Sequence, residues 1–142
     1  MLKKTLISLV VSLGLTTGVV ASDKLKVDMG KLASSISEAQ AALFLNDKAA
    51  TLAAVIKLRK ETKEILGDEK TIKSLLPVEM QYKASIAINS AGLIAKYASQ
   101  IEDTLNDKNM RMINQQMRTQ KAFTDIQNQC FRCHNLVRDW GL

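Results

Sequence analysis

Apolar residues recur along the chain at intervals of three and four, and strict alternation of apolar and polar positions is absent. That is the period of helices that bury one face, so the chain is predicted to be all-α. Four helical segments separate. The first is predicted over about residues 24–45, where Leu25, Met29, Leu32, Ile36, Ala39 and Leu43 step by 4, 3, 4, 3 and 4, the seam of a bundle helix. Ser22 or Asp23 can cap its start. Gly30 sits inside it at a cost of about 1 kcal/mol against Ala, and marks a place where something large can approach the backbone. Asn46-Asp47 makes a tight junction, and Asp47 caps a second helix over residues 48–66. Ala49, Leu52, Ala53, Ile56 and Ile65 are its expected buried stripe, and Gly67 its stop.

Residues 67–77 read as one long connection. Pro77 suits the first turn of a third helix, which continues to about residue 105 with Tyr82, Ile86, Leu93, Tyr97 and Ile101 facing inward. Asn106-Asp107 is a second tight turn, and a fourth helix covers about residues 108–138. Short turns inside each pair make the partners antiparallel, so the economical fold is an up-down-up-down antiparallel four-helix bundle. The starts of the first and third helices then share an end with the finishes of the second and fourth.

The N-terminus changes the picture of where the chain works. Lys3 and Lys4 precede an apolar run from Leu6 to Val20 that ends on Ala21, the layout of a cleaved secretory signal over residues 1–21. The run is short for a membrane span. Residues 22–142 are left as a single domain in an extracytoplasmic, periplasmic setting, with no membrane span once the signal is gone. Its loss takes Lys3 and Lys4 and lowers the formal charge from +6 to +4. The remaining basic residues are spread along the helices without the interleaved aromatics of a nucleic-acid surface, so no nucleic-acid partner is expected.

The chemistry is concentrated near the C-terminus. Cys130-Phe131-Arg132-Cys133-His134 is C-x-x-C-H, the attachment signature of c-type haem. The two thiols add across the porphyrin vinyl groups as thioethers, and the imidazole beside them can ligate iron. These are the two cysteines and the one histidine of the whole sequence. A thiol–disulfide redox site also uses C-x-x-C, but at a helix start after a strand, and zinc needs four ligands where three stand. The motif therefore points to one haem c per chain, with His134 as proximal ligand. Leu25, Met29, Leu32, Ile65, Leu66, Val78, Met80 and Tyr82 lie at the same end of the expected bundle. Met110, Met112 and Met117 belong to the other end. Of the two methionines at the haem end, Met29 is on the inward seam and is the expected second axial ligand.

A secretory signal, four helices and C-x-x-C-H near the C-terminus together resemble a class II c-type cytochrome: the cytochrome c-prime family and its low-spin six-coordinate relatives. The resemblance covers residues 22–142. Leu25, Leu32 and Tyr82, at the haem end by helix direction, are the expected pocket, and the resemblance adds Arg138, four positions after His134, beside the ring. The family tends to carry an aromatic just before that basic residue, where this chain has Val137. It also tends to place an Arg one turn before the distal residue, where this chain has Leu25 between Lys24 and Lys26. The implied function is electron transfer with redox partner proteins, and the implied alternative is a five-coordinate iron that binds nitric oxide or carbon monoxide. The family often dimerises through its first two helices, and Ala49, Ala50, Ala53 and Ala54 offer a small-residue face for such a homodimer. Nothing resembles an acid–base pair or an activated nucleophile, so the chain is not expected to be an enzyme.

Overall fold

The computed structural model describes residues 17–137. These form five α-helices and one 3₁₀ segment, with no strand among the described residues. The helices are α1 (Thr17–Phe44), α2 (Lys48–Leu66), α3 (Glu69–Leu75), α4 (Ala84–Asn106) and α5 (Met112–Val137), with the 3₁₀ segment over Val78–Lys83. Residues 1–16, most of the expected signal, and Arg138 of the expected pocket lie outside the described residues.

Local chemistry sets the boundaries. Asn46 turns the chain between α1 and α2 at φ 53°, the left-handed region that Asn tolerates better than most residues. Asp47 follows as the α2 cap, its side chain accepting from the Ala50 N–H at 2.9 Å. Helix α1 begins at Thr17, ahead of the expected start, because Ser22 and Asp23 continue the helix instead of capping it.

The stretch expected to be a bare connection is a helix. Asp68 caps α3 by accepting from the Thr71 N–H at 2.7 Å, and Ile72, Leu75 and Leu76 fall at i, i+3 and i+4 on one face. Ile72 and Leu76 are buried. The third predicted helix is correspondingly shorter. Its first turn winds as the 3₁₀ segment, with three residues per turn in place of 3.6. That change of register carries Tyr82 off the inward line.

Helix α4 is the hub and packs on both α2 and α5, while α1 packs on α2. Its buried face is made of Ala84, Ala87, Ser90, Ala91, Ile94, Ala98, Ile101 and Leu105. Of the larger residues expected inward, Ile101 is fully buried. The small residues let two neighbouring helices approach the same backbone, and they take the core positions that size alone assigns to Tyr97 and Leu93. In α2 the buried stripe is Thr51, Ala54, Val55, Leu58, Thr62 and Leu66. Ala49, Ala53 and Ile56, expected to be buried, are exposed. Two threonines complete the true stripe, so a count of apolar residues selects the wrong face.

Polar pairs fix helix directions. Ser35 in α1 donates to Glu61 in α2 at 2.6 Å, and Lys57 donates to Glu38 at 2.9 Å, which makes α1 and α2 antiparallel. Arg59 of α2 donates to Glu102 of α4 at 3.1 Å. Leu58, Ile101 and Ile126 anchor the core from α2, α4 and α5. Leu58→Ala is expected to cost about 2–5 kcal/mol, from lost burial and the cavity left behind, readable as a lower midpoint in chemical denaturation with an unchanged slope.

Candidate functional site

The C-x-x-C-H residues lie within α5, where spacings of three and four put Cys130, Cys133 and His134 on one stripe. That stripe faces a cavity of about 370 Å³. Helix α1 forms another wall with Leu25, Met29, Leu32 and Ile36, the seam read from the sequence. The remaining lining comes from Leu66 at the end of α2, from Ile72, Leu75 and Leu76, and from Ala87, Ser90 and Ile94 of α4, and one side is open to solvent. Residues more than a hundred positions apart thus meet in one mostly aliphatic chamber.

The cavity exists because α1 and α5 are not closely packed over their length, unlike α1 with α2 or α4 with α5. They are bridged by polar contacts. Gln127 of α5, itself in the cavity wall, donates to Gln40 of α1 at 3.3 Å, and Gln116 donates to Asn46 at 3.1 Å. Two antiparallel helices whose facing apolar side chains leave a gap form a slot.

The expected pocket residues divide. Leu25, Leu32 and Met29 line the cavity with Cys130, Cys133 and His134. Tyr82 does not: it is 74% exposed on the 3₁₀ segment, and its place in the pocket is corrected. Val78 is exposed on the same segment. Met80 packs against the core without lining the cavity. Gly30 faces open space, where an added Cβ would meet nothing; the close approach expected there is not made by any described atom. Met110 and Met112 line a separate cavity with Leu43 and Leu105. The α3 residues Ile72, Leu75 and Leu76 were missed as wall residues, although their spacing after the Asp68 cap was visible in the sequence. Phe131 was missed too; it stands at the cavity and is largely solvent-exposed.

Electrostatics separate the thiols from a redox-active pair. Burial, with Cys133 alongside, pushes the Cys130 thiol up to about 11, and burial raises Cys133 as well. Both lie well past the middle of α5 and far from its N-terminus. Thiol–disulfide catalysts need the opposite: a thiolate stabilised at a helix start. The cysteines are separate thiols, and no three His, Cys, Asp or Glu side chains converge to hold a bare metal ion among the described residues.

At the α1 wall Asp28 is buried beside Met29 and pairs with both Lys24 and Lys31, the latter at 2.9 Å. Hydrogen bonds from these two lysines hold its carboxyl below the usual carboxylate range. A depressed folded-state value stabilises the protein above the unfolded carboxylate pKa, near 4, and the contribution fades as pH falls through the folded value. Asp28→Asn is therefore expected to lower the melting temperature at pH 7, and the gap to wild type is expected to close as pH falls below the unfolded carboxylate range and through the lower folded value.

No protein-family model matches the chain, and no curated protein or solved structure is significantly similar to it. The site is therefore read from its own residues. No described helix is long and apolar enough to cross a membrane.

Proposed function

We propose that the protein is a periplasmic monohaem c-type cytochrome that transfers electrons through covalently bound haem iron. In this reading α1, α2, α4 and α5 form an up-down-up-down antiparallel four-helix bundle of the class II type, with α3 as a short addition against the cavity. One observation carries the proposal. The two cysteines and the histidine of C-x-x-C-H share one aliphatic cavity with Met29, which comes from the other end of the chain.

The residues present fit haem c. Two thiols and an imidazole stand on one helical stripe, a methionine comes from a second helix, and the space between is apolar and lies within the range of about 300–1,000 Å³ usual for bound small molecules. Cys130 and Cys133 would hold the group by thioether bonds, His134 would be the proximal iron ligand, and Met29 the second. Haem c, when bound, supplies a one-electron ferric–ferrous couple. The chain's own part is to exclude water and fix the ligands. Leu25, Leu32, Ile36, Ile72 and Ile94 present hydrocarbon to the cavity, and a low-dielectric surround favours the less charged ferrous state. Redox partner proteins would complete the function, and export through residues 1–21 would precede haem attachment.

The same wall supports a second reading, a five-coordinate iron that binds nitric oxide or carbon monoxide. Leu25, Leu32 and Ile36 around Met29 offer neither charge nor hydrogen-bond donor, so Met29 would cover the iron without bonding it. Optical spectra of the purified holoprotein decide between the two. Low-spin ferric and ferrous bands, with a methionine–iron charge-transfer band, are expected for electron transfer. High-spin bands that shift on addition of carbon monoxide would select the gas binder.

A further inference from the structure

The end of the molecule remote from Cys130 and His134 carries an apolar patch that the core does not use. Asn46, at φ 53°, reverses the chain so that Leu43 turns inward while Phe44 and Leu45 are left at the tip, 78% and 79% exposed. The hydrogen bond from Gln116 to Asn46 draws the start of α5 against this turn. There Met112, Ile113 and Met117 are also more than half exposed. Five large apolar side chains at one apex exceed the scatter of single exposed residues that needs no explanation.

Charge surrounds the patch with one sign in excess. Lys48, Lys108, Arg111 and Arg118 are exposed on the same turns and on the first turns of α5, where Lys121 is paired with Asp125. Against these four cations stand the carboxylates of Asp47, Asp103 and Asp107, two of which also cap local turns, so the cations remain in excess. Asp47 accepts from the Ala50 N–H and Asp107 from the Asn109 N–H, each at 2.9 Å, and Asp125 pairs with Lys121 at 2.8 Å. Protruding apolar tips ringed by basic side chains are the pattern of a surface that rests on an anionic bilayer: the tips enter the acyl boundary while the cations meet lipid phosphates. A flat protein interface would not need the apolar groups to stand proud at a helix turn.

We propose that this end docks reversibly on a membrane surface rich in anionic phospholipid. The opposite end, with Cys130 and His134, then faces the aqueous phase. The proposal is independent of whether haem is bound.

Co-sedimentation with vesicles tests it, using the purified full protein, with wild type and variants prepared alike so that any contribution of residues 1–21 is common to all. Wild type is expected to sediment with phosphatidylcholine vesicles containing one-third phosphatidylglycerol, to bind pure phosphatidylcholine at least tenfold more weakly, and to be released by salt. Arg111→Gln with Arg118→Gln should weaken binding about 25-fold, roughly fivefold for each charge removed. Phe44→Ser with Leu45→Ser should weaken it at least tenfold. Unchanged melting temperatures would show that the variants fold, and the salt response of wild type stands as a test even if one does not. Equal binding to neutral and anionic vesicles, no binding to either, or variants that bind like wild type would overturn the proposal. So would a dimer in gel filtration that Phe44→Ser dissociates without changing vesicle binding, because the patch would then join two copies of the chain.

Discussion

The double variant Cys130→Ala, Cys133→Ala is expected to lose covalent haem completely. Under the proposed assignment each thiol would contribute one thioether bond, and the two stand one helical turn apart on the α5 stripe that lines the cavity. Either single variant keeps one bond and should retain its haem through acid–acetone extraction. The double variant keeps at most the non-covalent hold of the apolar walls and the axial ligands, which acid and solvent abolish. Haem retained by the double variant through that extraction would remove the covalent assignment. The raised thiol values add a kinetic expectation for the haem-free protein. With Cys130 up at about 11, only on the order of 1% is thiolate at pH 9, so alkylation of the folded chain should be slow. Unfolding, which exposes the thiols, should speed it sharply.

Met29→Ala is expected to have the second large effect. With the Met29 thioether as the proposed second ligand, ferrous iron would be low-spin and closed to added ligands. Removing it should give high-spin ferrous haem that takes up carbon monoxide, a qualitative change in the spectrum. Leu25→Ala and Leu32→Ala, in the same wall, should leave the spin state low, because they change packing around the ligand without removing it. An unchanged spectrum in Met29→Ala would exclude the iron–sulfur bond. The neighbouring pair Asp28 with Lys24 and Lys31 pins this turn of α1, so the loss of Met29 is not expected to unfold the wall.

The parts legible in the sequence are those set by strong periodicity or strong caps. The α1 seam from Leu25 to Ile36, the Asp47 cap and the limits of α2 follow from spacing and side-chain chemistry, and so does the joint stripe of Cys130, Cys133 and His134. The α2 face was misread because Thr51 and Thr62 occupy buried positions while Ala49, Ala53 and Ile56 do not. The inward face of α4 was read in part: Ile101 is buried and Tyr97 packs against the core, but alanine and serine take most of the positions where three helices meet. Small residues carry little hydrophobic signal, yet they decide how near the helices come. Helix α3 was missed because seven residues give too few turns for periodicity to stand out, although the cap and one i, i+3, i+4 triplet were present. Tyr82 followed from continuing an α-helical register through a segment that winds as 3₁₀. The slot between α1 and α5 is a matter of tertiary spacing, which no local pattern encodes.

The most direct test of the haem assignment is the intact mass of the protein purified from an oxidising compartment equipped for c-type haem maturation, taken under denaturing conditions that strip non-covalent ligands. The expected mass is that of residues 22–142 plus one haem, with the added mass mapped to the peptide holding Cys130 and Cys133. A mass equal to the bare polypeptide, with those two cysteines free or joined to each other, would contradict it.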